Sequence, residues 1–166
     1  MDSTSPASGT PEHPSITSFR AALSRQSPGE HEVRVLPDSV HTAALAAEAL
    51  GCEVGAIANS LVFDAEGEPI LILTSGGHRV DTEATAARVG VPALRRAKPE
   101  FVREHTGHVI GGVSPIDHTE PIRTYLDVAL RAFDPIWAAA GHPAAVFRTS
   151  YAELLAMTGA EEIEVE

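Results

Sequence analysis

Four consecutive aliphatic residues, Ile70-Leu71-Ile72-Leu73, constrain this chain more than any other segment. Successive side chains of a strand point to opposite faces, so a run that is apolar at every position belongs to a central strand covered on both sides. A second apolar run, Ile57 to Phe63, precedes it across the turn-rich connection Asp64-Ala65-Glu66-Gly67-Glu68. The two runs predict a hairpin in the middle of a sheet.

Around that hairpin, helix and strand signals alternate. Ile16, Phe19, Ala22 and Leu23 recur at helical spacing, with Ser15 as the expected N-cap and Ser27-Pro28-Gly29 as the stop. Thr42 to Leu50 reads as a helix closed by Gly51. Asp81 caps a helix running to Val89, Pro99 opens one reaching His105, and Ser150 caps a last one through Met157 that Gly159 ends. Strands are expected at Glu32 to Leu36, with Val33 and Val35 on one face, at Ala93 to Ala97, and at Ile122 to Leu126. A second hairpin is expected from Pro135 to Ala140 and Ala144 to Phe147, and Ile163 and Val165 suggest a final edge strand. Short turns between strands argue against a purely parallel, doubly wound sheet. The expected class is α+β: a mixed, barrel-like sheet surrounded by helices.

The length of 166 residues and the 43% hydrophobic content suit one domain with a real core. Residues 1–14, rich in Ser, Pro and Thr, lack the basic start and apolar run of a signal peptide. They are expected to form a disordered tail, with the domain spanning residues 15–166. Cys52 is the only cysteine, so no internal disulfide and no Cys-based zinc site can form. Together with the lack of a membrane-length apolar run, this suits a cytoplasmic protein.

The net charge of -11 opposes tight, sequence-independent binding to DNA or RNA. One segment departs from it. Between Arg79 and Arg103 the charges sum to +3, through Arg79, Arg88, Arg95, Arg96, Lys98 and Arg103. The plainer reading of that segment is a solvated face with ordinary ion pairs.

Eight histidines raise the question of a metal, but no His-Glu-x-x-His and no accompanying carboxylate cluster occur. His78, His105, His108, His118 and His142 are expected as solvent-exposed loop residues, with His118 kept as a possible site residue. Neither a Gly-x-Ser-x-Gly elbow nor the glycine motifs of nucleotide-binding loops are present. The segment Gly107-His108-Val109-Ile110-Gly111-Gly112-Val113-Ser114-Pro115 carries the main candidate site. Adjacent glycines let backbone approach a ligand and expose N–H donors, which can hold a developing oxyanion. Pro115 fixes the loop's exit. The residues alone are also consistent with a tight turn.

Val109-Ile110-Gly111-Gly112-Val113-Ser114-Pro115 resembles the signature loop of the YbaK/EbsC family, aminoacyl-tRNA deacylases related to the editing domain inserted in bacterial prolyl-tRNA synthetases. The resemblance extends to Ala56-Ile57-Ala58-Asn59-Ser60-Leu61-Val62-Phe63, the hairpin to Thr74, the helix start at Val80-Asp81, and Pro99 to Gly107. It covers roughly Ser15 to Val165. It implies hydrolysis, without metal or other cofactor, of the ester joining a wrong amino acid to tRNA. The ester would be bound in the Gly-rich loop, with a terminal ribose hydroxyl helping to activate water. On this resemblance Asn59, Gly111, Gly112 and Ser114 are the catalytic candidates, and Val113, Pro115, Thr74 and His118 the substrate-binding ones. The implied partners are the acceptor end of aminoacyl-tRNA and an aminoacyl-tRNA synthetase, with no membrane and no DNA. The family's usual active-site lysine falls at Asn59, and Lys98 is the only lysine in the chain. Asparagine donates a hydrogen bond but supplies no charge. A cation would have to come from Lys98 or an arginine such as Arg79. The alternatives are a non-catalytic module binding aminoacyl-tRNA or a small ligand in the same pocket, and an amide or ester hydrolase acting on small molecules.

Overall fold

A computed structural model describes residues 12–37 and 39–166. The expected tail lies mostly outside them, at residues 1–11. The described residues form five α-helices and an eight-stranded mixed sheet: α1 (Pro14–Gln26), β1 (Val33–Val35), α2 (Ala43–Leu50), β2 (Ile57–Ala65), β3 (Glu68–Ser75), α3 (Thr82–Val89), β4 (Arg95–Arg96), α4 (Pro99–Thr106), β5 (Arg123–Asp127), β6 (Ile136–Ala139), β7 (Ala145–Thr149), α5 (Tyr151–Thr158) and β8 (Glu161–Ile163). The sheet order is β1-β7-β6-β2-β3-β5-β8, and β4 pairs with β2. This is the expected α+β class with a mixed sheet and surrounding helices.

The aliphatic run sits where its pattern requires. β3 lies between antiparallel β2 and parallel β5. Leu71 and Leu73 enter the main core with Phe19 of α1, Val102 of α4 and Phe147 of β7. Ile70 and Ile72 enter a second core with Ala86 and Val89 of α3. All four are completely buried, and each contributes about 1.5–3 kcal/mol by leaving water. A third cluster packs Ala46 and Ala47 of α2 on Ile57, Trp137 and Val146.

Local chemistry sets most element ends. Thr42, Asp81 and Ser150 accept from Leu45 N, Ala84 N and Glu153 N, as N-caps do. α1 differs: it begins at Pro14, and His13 rather than Ser15 is the cap, its Nδ1 accepting from Ser15 N at 3.1 Å. Glu12 ties the helix start down further, accepting from Thr17 Oγ1 and Arg20 Nε. The connection between β2 and β3 is tighter than expected. Ala65 pairs with Glu68, leaving Glu66 and Gly67, both at positive φ, as a two-residue turn. The expected strand over Ala93 to Ala97 shrinks to two residues. Val33 is partly buried and Val35 is 62% exposed; β1 is an edge strand paired only with β7.

Candidate active site

β2 carries the site because its outer edge is interrupted. Ile57 O accepts from Gly76 N on the β3 side, and Val62 O accepts from Ala97 N on the other side. Peptide groups alternate along a strand, so the even-numbered residues of β2 address the edge away from β3. There β6 pairs with Ile57 and Ala58, and β4 pairs with Phe63 and Asp64. Ser60 lies between these pairings, its N–H and C=O facing the gap.

A cavity of about 470 Å³ opens at that gap. Asn59, Ser60, Arg96, Gly111, Val113 and Trp137 contribute to its walls. Asn59 is half-buried and pairs across the ladder with Thr74, so the two side chains share a face. Thr74 is 1% exposed and lies behind the cavity wall, its Oγ1 without a partner. Ser60 Oγ is likewise buried and unpartnered. Ser60 lines the cavity, so of the two its unpartnered hydroxyl is the one beside the space a ligand would fill.

The Gly-rich loop meets the cavity through Gly111 and Val113. Gly112 N donates to Val109 O at 2.9 Å, which closes the turn and occupies that donor. Ser114 N lies 3.4 Å from His108 Nδ1. The N–H groups of Gly111 and Val113 have no acceptor among the described residues, and both residues line the cavity. The free backbone donors are therefore at Gly111 and Val113. The two glycines are needed for different reasons. Gly111 has φ +90°, a conformation strained for residues with a Cβ. At Gly112 a Cβ would stand 2.7 Å from Pro143 N and Cδ. The loop can approach that backbone only without a side chain.

Ser114, Pro115 and His118 stand behind the loop, outside the cavity wall. Ser114 is completely buried, and its Oγ donates to Ile116 O. His118 Nε2 donates to Ser114 O at 2.7 Å. His108 Nδ1 accepts from Ser114 N and lies 3.5 Å from Ser114 Oγ. Two imidazoles thus hold the N–H and the C=O of one loop residue, Ser114. Burial pushes both rings below the ordinary histidine pKa; His118 adds to the lowering at His108, and Asp117 partly opposes it at both.

The expectation of solvent-exposed histidines is corrected here. His108 is 6% exposed, and His78, His105, His118 and His142 are all partly buried. Each has a polar neighbour: Asp127 Oδ2 lies 3.1 Å from His78 Nδ1, Glu120 Oε1 lies 3.0 Å from His105 Nδ1, and His142 Nδ1 accepts from Ala144 N. Among the described residues no group of three or more His, Cys, Asp or Glu is placed to hold a metal ion. Arg96 is the lysine or arginine in the cavity wall; Lys98 and Arg79 are outside it. The backbone N–H of Arg79 donates to Glu166 Oε2. Sequence reasoning also missed His41, which lines the cavity while its Nδ1 is held by Ser39 O at 2.8 Å.

Residues 37–157 match the family model described as the aminoacyl-tRNA editing domain. The uncharacterized protein YwhH of Bacillus subtilis is 37% identical over 113 residues, covering 68% of this chain and 71% of that protein. A proline–tRNA ligase of Limosilactobacillus fermentum is 33% identical over 96 residues, 55% of this chain and only 17% of the ligase. A crystal structure of a protein proposed to be a trans-editing enzyme for prolyl tRNA synthetase superposes with a TM-score of 0.88 at 44% identity, covering 94% of this chain and 99% of that one. No helix among the described residues is long and apolar enough to cross a membrane. The interrupted strand edge, the glycine loop with its free donors and these likenesses lead to one assignment: the chain belongs to the aminoacyl-tRNA editing domain family.

Proposed function

We propose that the protein is a cytoplasmic deacylase that hydrolyses the ester joining a wrong amino acid to tRNA, acting in trans to an aminoacyl-tRNA synthetase. One observation carries this reading: Gly111 and Val113, whose backbone N–H groups have no acceptor among the described residues, line the same cavity as Asn59. The ester carbonyl oxygen would sit against those two donors. When water attacks the carbonyl carbon, the oxygen becomes an oxyanion, and fixed donors in a site shielded from water stabilise it. The acyl–ribose C–O bond then breaks. The amino acid leaves as a carboxylic acid that ionises, and the water proton passes to the ribose oxygen of the tRNA. The neighbouring ribose hydroxyl assists by holding the water. Ser60 and His41 both line the cavity, but among the described residues Ser60 Oγ has no hydrogen-bond partner and His41 Nδ1 is held by Ser39 O. The lack of a hydrogen-bonded serine–histidine pair there supports substrate assistance over a covalent acyl-enzyme.

Asn59 orients the aminoacyl group through its amide, and Arg96 supplies positive charge to the wall. Ser60 Oγ binds a polar atom of the substrate. The test is a panel of tRNAs charged with alanine, cysteine, serine, proline or threonine. Release of one amino acid well above the buffer rate supports the reading. A folded protein that releases none overturns it.

The substitution at Asn59 favours a second reading, a binding module that holds aminoacyl-tRNA without cleaving it. Asn59→Lys separates the two. Hydrolysis gained by the variant over an inactive parent supports the binding module.

A further inference from the structure

The cations of this acidic chain are unevenly committed. Arg20, Arg34, Arg123 and Arg131 each have a carboxylate within ion-pair distance. Arg88 donates to Glu164 O. Arg95, Arg96 and Lys98 are all exposed, and none has a carboxylate partner among the described residues; Arg25, Arg79, Arg103 and Arg148 are exposed without one too, but lie outside the 95–98 segment that borders the cavity. Asp64 stands opposite Arg95 in the ladder but forms no ion pair with it. These three residues follow one another along β4 and into the cap of α4. That segment forms one lip of the cavity, which Arg96 and Ala97 line. Ile110, another lining residue, is 48% exposed at the mouth.

A mouth bearing unpaired cations and an exposed aliphatic side chain suits a nucleotide, whose phosphate takes the cations and whose base covers the apolar surface. Most of the remaining surface, in a chain of net charge -11, repels a polyanion. We infer that the Arg95-Arg96-Lys98 ridge docks the phosphates of the single-stranded 3′ end of tRNA and so delivers the terminal ester to the cavity. This rests on the deacylase reading above and adds where the nucleic acid lies and how small its footprint is. With at most three phosphates neutralised, the logarithm of the binding constant should fall with the logarithm of salt concentration at a slope of about -2.

The experiment measures uncharged tRNA binding by fluorescence anisotropy from low to moderate KCl, for the wild-type chain, Arg95→Gln/Lys98→Gln and the control Arg25→Gln. Hydrolysis of an aminoacyl-tRNA and of a free 3′-O-aminoacyl-adenosine is followed in parallel. The double variant should bind tRNA about 10-fold more weakly at low salt and show a slope shallower by about 1.4. Its KM for aminoacyl-tRNA should rise while its turnover of aminoacyl-adenosine stays at the wild-type value. Lys98→Gln alone should change the slope by about 0.7, which guards against a double variant that fails to fold. An unchanged slope, an Arg25→Gln effect as large as the double variant's, or equal losses on both substrates overturns the ridge. A wild-type chain that binds tRNA along the ridge and cleaves neither substrate overturns the deacylase reading alone. Cleavage of both substrates with no dependence on the ridge does the reverse.

Discussion

His118 donates from Nε2 to the carbonyl oxygen of Ser114 at 2.7 Å, and this bond holds the exit of the loop whose residues Gly111 and Val113 line the cavity. Since the carbonyl can only accept, the proton of His118 is on Nε2. The backbone N–H of Ser114 can only donate, so Nδ1 of His108 carries no proton. The positions of Gly111 and Val113 depend on this grip, although neither histidine reaches the cavity.

His118→Ala should leave the buried Ser114 carbonyl unpaired. The expected loss is about 1–3 kcal/mol, read as a lower urea midpoint. Turnover should fall with it, because the loop loses its fixed exit. Unchanged stability would show that the bond does not restrain the loop.

The same pair predicts a pH dependence. Both imidazoles are held below the usual value near 6.5 of an unfolded chain. Between the folded and unfolded values the unfolded chain binds more protons, so stability is fully present above about 6.5 and declines as pH falls below it. Urea midpoints measured from pH 7.5 downward should drop on the acid side. His108→Gln/His118→Gln should flatten that drop relative to wild type.

Gly112→Ala places a Cβ against the backbone of Pro143, which cannot swing aside as a side-chain tip would. A loss of activity on the order of 100-fold with helix content retained is expected, comparable to losing an oxyanion donor. Gly111→Ala should cost about 1–2 kcal/mol of loop strain. Gly111→Pro also deletes a donor and should abolish activity. A folded Gly111→Pro protein with normal hydrolysis would remove the loop from the mechanism.

Ser60→Ala deletes a buried hydroxyl that has no protein partner. Stability should hold or rise slightly, since no internal hydrogen bond is lost. Substrate affinity should fall by roughly 5- to 10-fold, the worth of one neutral hydrogen bond. A large fall in stability with unchanged KM would make Ser60 structural.

Much of the fold is legible in the residues. The all-apolar run 70–73 predicts a strand covered on both faces, and the caps at Thr42, Asp81 and Ser150 set three helix starts. The loop at Gly111 and Gly112 is legible too, through the positions where a side chain is excluded. The cavity is not. It exists because β6, nearly 80 residues downstream of β2, and β4 pair with different parts of one strand and leave Ser60 between them. Local periodicity carries no information on such pairings. The histidines were misread for a related reason. Their glycine and proline neighbours indicate loops, but these loops fold back onto the core, so burial follows from tertiary contacts. Arg96 and His41 join the cavity by the same route.

The central claim is that the ester lies between Gly111, Val113 and Asn59, and amide NMR tests it most directly. A 3′-aminoacylamino-adenosine, in which an amide replaces the scissile ester, would be titrated into the labelled protein. The account predicts the largest shifts at the Gly111 and Val113 backbone amides and the Asn59 side-chain amide, with little change at Arg79 or Val165. Binding that leaves those three amides unmoved, or that shifts residues around His78 and Asp127 instead, would contradict it.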